Sequence, residues 1–180
     1  MKALFILIIL FHLIVFKSYS QTKPLFIGTK SVNNGGMGPD QVDTWNYKGF
    51  VFKTITPGIA RPIVYTEIYI KGKNGLKKIN NTDLFGNNIS TVSEMVNSKL
   101  SYVYSSQQAE EPNCYPGYRQ GDLNQLSISV DDNFMYFEIT WDTSYLTDAS
   151  SECLNPSTIA KISLKDPGAW GALEQFIGTK

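Results

Sequence analysis

The amino-acid sequence predicts a mainly β fold, an antiparallel sandwich or partly closed barrel of about seven strands with one or two short helices. Segments in which apolar and polar residues alternate recur along the chain, as expected of strands with one face on a core. Turn residues separate these segments and no long helical segment stands between them, which favours antiparallel pairing. No long-period repeat is present; residues 26–30 recur at 176–180, but the surrounding sequences differ and we interpret the match as coincidence.

Residues 1–20 predict a cleavable secretory signal peptide. Lys2 supplies the basic start, residues 3–16 are almost wholly apolar, and small residues precede the expected cleavage point. The apolar run is shorter than the roughly 20 residues that a membrane-spanning helix prefers, although an uncleaved anchor is the alternative. No later segment is long and apolar enough to cross a bilayer. We therefore expect one β-rich domain over 21–180, secreted or periplasmic, with no transmembrane anchor.

The first half of the expected domain shows alternation interrupted by turn residues. Residues 31–40 are rich in Asn and Gly and predict a loop, and the Asn-Gly pair at 74–75 is typical of a hairpin turn. The predicted β segments are a short extended piece at 21–28, a β-rich run at 45–56, an alternating strand at 62–71 and a short return strand at 76–79.

The second half contains the clearest motif, a β-hairpin formed by 123–130 and 134–141 around an Asp-Asp-Asn turn. Thr91 and Glu94 fit a capping box that opens a short helix over 91–100, although the β-branched content also permits a strand. The other predicted elements are alternation at 100–104, a polar loop at 105–122, a second polar stretch at 142–157, a last strand at 158–164 and a short helix at 169–177.

The charge balance gives no electrostatic case for nucleic acid. The predicted signal peptide holds two of the 16 basic residues and no acidic one, which leaves 14 basic against 16 acidic side chains and a net charge near −2. Proteins that bind nucleic acid usually present a basic patch. We therefore predict no nucleic-acid partner.

The single histidine, His12, lies inside the predicted signal peptide. The remaining chain can build neither a Ser-His-Asp nor a Cys-His catalytic site, and no histidine-ligated zinc or copper site. It also lacks the G-x-S-x-G nucleophile motif and a C-x-x-C redox pair. We predict no catalytic residue, metal or cofactor, and an enzyme is the less favoured class.

Cys114 and Cys153 are the only two cysteines. In an oxidising compartment a lone pair predicts a disulfide, with two buried free thiols as the alternative. The disulfide would join the polar stretches at 105–122 and 142–157, which flank the predicted hairpin. We therefore expect both stretches at one end of the sheet.

The loop around Cys114 carries the predicted binding residues, Tyr115, Tyr118 and Arg119. Tyrosine and arginine are enriched at protein interfaces, and loops on rigid scaffolds concentrate binding residues. The alternative is that the two tyrosines pack over the disulfide as a small loop core.

Acidic residues recur near this region, at Asp131, Asp132, Asp142, Asp148 and Glu152. Paired carboxylates can run glycoside hydrolysis or ligate calcium. Turns favour Asp for backbone reasons alone, so solvated turns are the favoured interpretation.

These observations lead to three hypotheses from different classes. The first is an exported interaction module that binds a protein partner, of the inhibitor or immunity type. The alternative is a glycan-binding β-sandwich that uses Trp45, Trp141 or Trp170, with Trp141 more readily placed in the core. A carboxylate-based hydrolase is the least favoured.

Overall fold

The computed structural model describes residues 23–35, 37–59, 63–112, 114–115, 120–141, 156–166 and 168–178. Over these ranges the chain forms eight strands in two antiparallel sheets, one long α-helix and several short 3-10 turns, and it closes no barrel. The mainly β, antiparallel prediction is confirmed. The predicted signal peptide at 1–20 lies outside the described residues and stays a prediction.

Sheet A is a five-stranded meander in which each strand pairs with its neighbours in sequence. Its strands are β1 (Leu25–Val32), β2 (Asp40–Tyr47), β3 (Phe50–Thr56), β4 (Tyr65–Gly72) and β5 (Gly75–Ile79). The run predicted as one β segment at 45–56 is two strands, because Lys48 and Gly49 both take positive φ, 48° and 82°, and reverse the chain. A two-residue turn with positive φ at both positions matches the twist of the strands that it joins.

Sheet A packs one face on the core, and the other face is mostly half-buried or exposed. Tyr47, Phe50, Phe52 and Ile68 alternate along three neighbouring strands and form the buried face. The opposite face carries polar side chains, among them Glu67, whose carboxylate accepts hydrogen bonds from Lys78 Nζ at 2.6 Å and from Tyr69 Oη at 2.5 Å. Those bonds lower the pKa of Glu67, with the one from Lys78 contributing most.

The helix, α1, spans Ile89–Glu110 and is much longer than the short helix predicted at 91–100. The alternation at 100–104 and the loop assigned to 105–110 are therefore corrected. The physical reason is a buried stripe with helical spacing, which continues beyond residue 100. Its members are Val92, Met95, Val96, Asn97, Leu100 and Tyr104. No helix in the described part of the chain has both the length and the apolar character needed to span a membrane.

Sheet B contains β6 (Ser127–Val130), β7 (Phe134–Thr140) and β8 (Ser157–Ser163), with β7 in the centre. The predicted hairpin is confirmed as β6–β7, although 123–125 form a 3-10 turn instead of the start of a strand. Asp131 Oδ1 closes the hairpin turn by accepting from Asn133 N at 2.9 Å and from Phe134 N at 2.8 Å.

The core lies between the buried face of sheet A, α1 and the inner face of sheet B. Phe85, just before α1, packs on Phe137 of β7 with ring centroids 6.2 Å apart. The short helix predicted at 169–177 is a single 3-10 turn, Leu173–Phe176. Gly178 N then donates to Leu84 O at 2.9 Å, which ties the end of the described chain to the core. The two copies of the five-residue match thus differ in structure, since the first lies on the exposed strand β1.

Candidate functional site

A groove of about 560 Å³ lies between α1, the strand β8 and the segment 166–171. Its three walls come from parts of the chain that are distant in sequence. The residues that line it are Met95, Ser98, Lys99 and Tyr102 from α1, Lys161, Ile162 and Ser163 from β8, and Asp166, Gly168, Ala169, Trp170 and Gly171.

The wall that α1 contributes is set by helical geometry. Lys99 and Tyr102 are three residues apart and share one side of the helix, since side chains at that spacing lie one above the other. Lys99 Nζ lies 5.7 Å from the centroid of the Tyr102 ring. Tyr102 is 70% exposed, whereas Tyr104, two positions further, is 2% exposed and packs in the core. The helix therefore presents an aromatic ring and an ammonium group to the groove.

The second wall is the outer edge of β8, the last strand of sheet B within the described part of the chain. At one end of the β7–β8 ladder, Trp141 N donates to Pro156 O at 2.9 Å; at the other, Leu164 N donates to Asn133 O at 2.8 Å. Backbone groups in an antiparallel pair alternate between the partner strand and the opposite edge. The even-numbered residues of β8 therefore bond to β7, and the N–H and C=O of Lys161 point away from it.

Within the described part of the chain, this outer edge is covered at its start, whereas the outward backbone groups of Lys161 bond to no other described residue. Gln107 Nε2, near the end of α1, donates to Ser157 O at 3.0 Å and so satisfies the first outward carbonyl. The groove borders 161–163, between the strand and α1. An unpaired stretch of strand edge offers backbone donors and acceptors to an incoming chain.

Lys161 is held against aromatic rings on the outer face of sheet B. Its Nζ lies 4.0 Å from the centroid of Phe134 and 5.7 Å from that of Tyr136, which is cation–π geometry. Tyr136 Oη donates to Asp131 Oδ2 at 2.5 Å. Burial and this hydrogen bond raise the pKa of Tyr136 to about 12. Burial raises the pKa of Asp131. This effect is outweighed by hydrogen bonds from Tyr136 and two backbone N–H groups and by the charge of Lys161, which together lower the pKa of Asp131.

The third wall carries Trp170, whose side chain is 44% exposed. Gly171 N donates to Gly168 O at 3.0 Å, which makes a tight turn around Trp170. Asp166 precedes this turn, and its backbone N–H donates to Ser163 Oγ at 3.0 Å. The residues that line the groove therefore include two with exposed aromatic side chains, two lysines and one aspartate.

Of the predicted binding residues, the structure describes Tyr115, which lies outside the groove. Tyr115 is 6% exposed and packs edge-on against Tyr104 with ring centroids 5.5 Å apart, in a small cluster with Cys114 and Trp141. Burial raises the pKa of Tyr115, and nearby acidic side chains add to the effect. This placement corresponds to the small loop core that the sequence left as the alternative. Tyr118 and Arg119 lie outside the described residues, and their binding role stays a prediction.

Cys114 is buried in the same cluster, and no cysteine among the described residues is a free thiol. Cys153, its predicted partner, lies outside the described residues. The pairing of the two therefore stays a prediction.

The three tryptophans occupy different environments. Trp141 is 7% exposed, and its Nε1 donates to Thr158 Oγ1 at 2.8 Å, so its expected place in the core is confirmed. Trp45 is half-buried in β2 and packs against Phe26 with centroids 5.0 Å apart. Trp170 is the one of the three that lines the groove.

The acidic residues form no common site in the described part of the chain. Asp131 closes the hairpin turn, as the turn interpretation expects, and Asp132 beside it is exposed. Asp142, Asp148 and Glu152 lie outside the described residues. Among the residues that the structure describes, no group of three or more His, Cys, Asp or Glu side chains could hold a metal ion.

Sequence reasoning missed Lys99, Tyr102 and Lys161 as groove residues. Lys99 and Tyr102 both fall outside the apolar stripe of α1, but this becomes apparent only when the helix is known to extend past residue 100.

Comparison of the chain with protein-family models, with curated proteins and with solved structures finds no match.

Proposed function

We propose that the protein is an exported, non-catalytic interaction module that binds a segment of a protein partner in the groove between α1 and β8. The observation that carries the proposal is the open edge of β8 beside two exposed aromatic side chains, Tyr102 and Trp170. Export and the Cys114–Cys153 disulfide, both predictions from the sequence, belong to the same proposal. A module of this kind acts as an inhibitor or immunity protein acts, by occupying its partner.

Each wall of the groove supports one component of protein binding. The edge of β8 offers main-chain hydrogen bonds, which supply affinity in strand addition. Tyr102 and Trp170 offer large contact areas at low ordering cost, and such residues dominate the energetics of many interfaces. Neither ring is needed to fill the core, since both are exposed.

A glycan is the second candidate ligand, because exposed aromatic rings also stack on sugars. Trp170 was among the tryptophans that the sequence suggested for this role, and it lines the groove. The strand edge favours the protein partner. A row of alternating backbone N–H and C=O groups is complementary to another extended backbone, whereas sugar recognition makes no use of that spacing.

Affinity capture tests the proposal. The oxidised chain without residues 1–20 is immobilised, exposed to envelope and secreted extract, and the retained proteins are identified and then measured as purified partners. We expect the double variant Tyr102→Ala/Trp170→Ala to weaken binding of the purified partner at least about 100-fold, because the binding free energy of two interface anchors is lost together. Tyr65→Ala, which removes an exposed tyrosine from the distant strand β4, is the matched control and is expected to leave binding unchanged.

Two results would overturn the proposal. One is the absence of any retained protein. The other is a partner that the double variant and the wild type bind equally well. If the wild type retains a purified polysaccharide and the double variant does not, the groove binds a glycan instead of a protein.

A further inference from the structure

The charges that border the groove define the chemistry of its occupant. Lys99 and Lys161 bring two ammonium groups, and Asp166 brings one carboxylate, so the lining carries a net positive charge. The chain as a whole, without residues 1–20, has a net charge near −2. The residues that line the groove therefore carry one more positive than negative charge on a slightly negative protein, and Asp131, on which the charge of Lys161 acts, lies outside that lining.

Neither ammonium group is neutralised by a salt bridge within the described ranges. The side-chain ion pair found there joins Lys78 and Glu67 on sheet A, far from the groove. Lys99 and Lys161 lie instead on the faces of Tyr102 and Phe134. A ring face attracts a cation without cancelling its charge. Asp131, on which the charge of Lys161 acts, already accepts three hydrogen bonds and forms no ion pair with that lysine among the described residues, so Lys161 can still bind an anionic ligand.

The position of Lys161 adds a geometric requirement. Its backbone N–H and C=O face the open edge of β8, and its side chain stands on the outer face of sheet B. A strand added at this edge would lie about 4.8 Å from β8. The side chain directly opposite Lys161 would have its Cβ about 5 Å away, close enough for a charge pair.

The neighbouring position on the added strand meets a different surface. Successive side chains of a strand point to opposite faces, so the residue beside the one that faces Lys161 turns towards α1. There it meets Met95 and the exposed ring of Tyr102, with Lys99 beside that ring. One face of the added strand therefore favours an anionic side chain, and the other favours an apolar side chain that contacts Met95 and Tyr102.

Resting on the proposed function, we infer that the groove binds an extended acidic peptide segment, which adds to the edge of β8 and alternates carboxylate with apolar side chains. The carboxylate opposite Lys161 completes a cross-strand charge pair. Lys99 adds a second positive charge from the helical wall. Asp166 lies beyond the end of β8 and disfavours a carboxylate there, which helps to fix the register.

Defined peptides of the expected chemistry test the inference directly, whatever the natural partner is. The first probe is a hexapeptide with blocked ends that alternates glutamate and valine, and the second replaces each glutamate by glutamine. Binding to the oxidised chain is measured by calorimetry at low and high salt. We expect the glutamate peptide to bind about tenfold more tightly than the glutamine peptide, with the difference shrinking as salt screens the charges.

Variants locate the effect. Lys161→Gln is expected to weaken binding of the glutamate peptide about fivefold and to leave the glutamine peptide unaffected. Lys73→Gln, in the exposed turn between β4 and β5, removes the same charge at a distant place and is expected to change neither. Methylation of alternate peptide nitrogens on the edge that faces β8 is expected to abolish binding, because it removes the main-chain donors.

Equal binding of the two peptides, or an unchanged affinity in Lys161→Gln, would overturn the inference. If the methylated glutamate peptide binds as tightly as the unmethylated one, strand addition is wrong. These failures differ from failure of the proposed function. If a purified partner binds the wild type but not Tyr102→Ala/Trp170→Ala, the groove is still the binding site, and only the inference of an acidic, extended occupant is wrong.

Discussion

Two tyrosines of α1, Tyr102 and Tyr104, stand two residues apart and serve opposite purposes. Tyr104 packs against Tyr115 and Trp141 in the buried cluster, whereas Tyr102 stands in the groove. Two residues correspond to about 200° around a helix of 3.6 residues per turn, so the two rings point to nearly opposite sides. Residue type thus says little about burial here, and angular position on the helix decides which tyrosine is exposed.

The two regions also differ in how their polar groups are used. In the buried cluster, Trp141 Nε1 donates to Thr158 Oγ1, and that hydroxyl donates to Gln107 Oε1 at 2.7 Å. No buried side-chain nitrogen or oxygen lacks a partner within the described residues. The groove instead presents charged groups and strand-edge backbone to solvent. The cluster therefore contributes to stability, whereas the groove is the surface that we propose for contact with another molecule.

The tryptophans give the largest test of this comparison. Trp141→Ala is expected to lower the free energy of unfolding by about 3–5 kcal/mol, because it opens a cavity and leaves Thr158 and Gln107 with a broken chain of hydrogen bonds. Trp170→Ala is expected to change the free energy of unfolding by less than about 0.5 kcal/mol, since the Trp170 side chain is 44% exposed. Urea denaturation of the oxidised chain measures both. Equal losses in the two variants would contradict the division between cluster and groove.

The tyrosines give the second test. Tyr115→Ala is expected to cost about 3 kcal/mol of stability through loss of its packing on Tyr104, and Tyr102→Ala less than about 0.5 kcal/mol. Urea denaturation again measures the change, and binding of the purified partner is measured in parallel. A Tyr115→Ala variant that keeps its stability but loses binding would support the contact role that the sequence predicts for Tyr115.

The alternation of apolar residues was enough to predict the antiparallel sheets. The hairpin β6–β7 is the clearest case, because Asp131 both ends the alternation and closes the turn. The turn at Lys48 and Gly49 was harder to see, since aromatic and β-branched residues continue on both sides of it. Alternation reports the faces of a strand, but it does not report where a tight turn divides one run into two.

The length of α1 could not be predicted because its last residues, 105–110, are almost wholly polar. Residues 105–110 lie on the surface of the protein, and a polar surface helix has the composition of a loop. The information that extends the helix comes from tertiary contacts: Gln107 bonds to β8, and Tyr104 packs in the cluster. Intrinsic propensity is a weak guide when such contacts decide the outcome.

The groove depends on contacts that no local pattern records. Lys99 and Lys161 are far apart in sequence, and only the packing of α1 beside β8 brings them to one site. The sequence predicts a binding role for the loop at Cys114 because its tyrosines and arginine are close together along the chain. Burial of Tyr115 shows why proximity in sequence is a poor guide to exposure.

The smallest expected effect concerns Tyr136, which lies under Lys161 beside the groove. Tyr136→Phe removes the hydrogen bond to Asp131, and we expect the free energy of unfolding at neutral pH to fall by less than about 1 kcal/mol, since the pair is partly exposed. The pKa of Asp131 is lowered in the folded protein, so the stability from its carboxylate is present above the ordinary pKa of an aspartate and is lost as pH falls through the lowered value. The difference in free energy of unfolding between wild type and variant should therefore be largest near neutral pH and should shrink in acid.

Urea denaturation between neutral and acidic pH measures this difference. As a control, Tyr136→Phe should have no pH-dependent effect when it is made in the Asp131→Asn variant. A difference that is constant with pH would mean that Tyr136 contributes by packing against Lys161 and not by holding the carboxylate of Asp131.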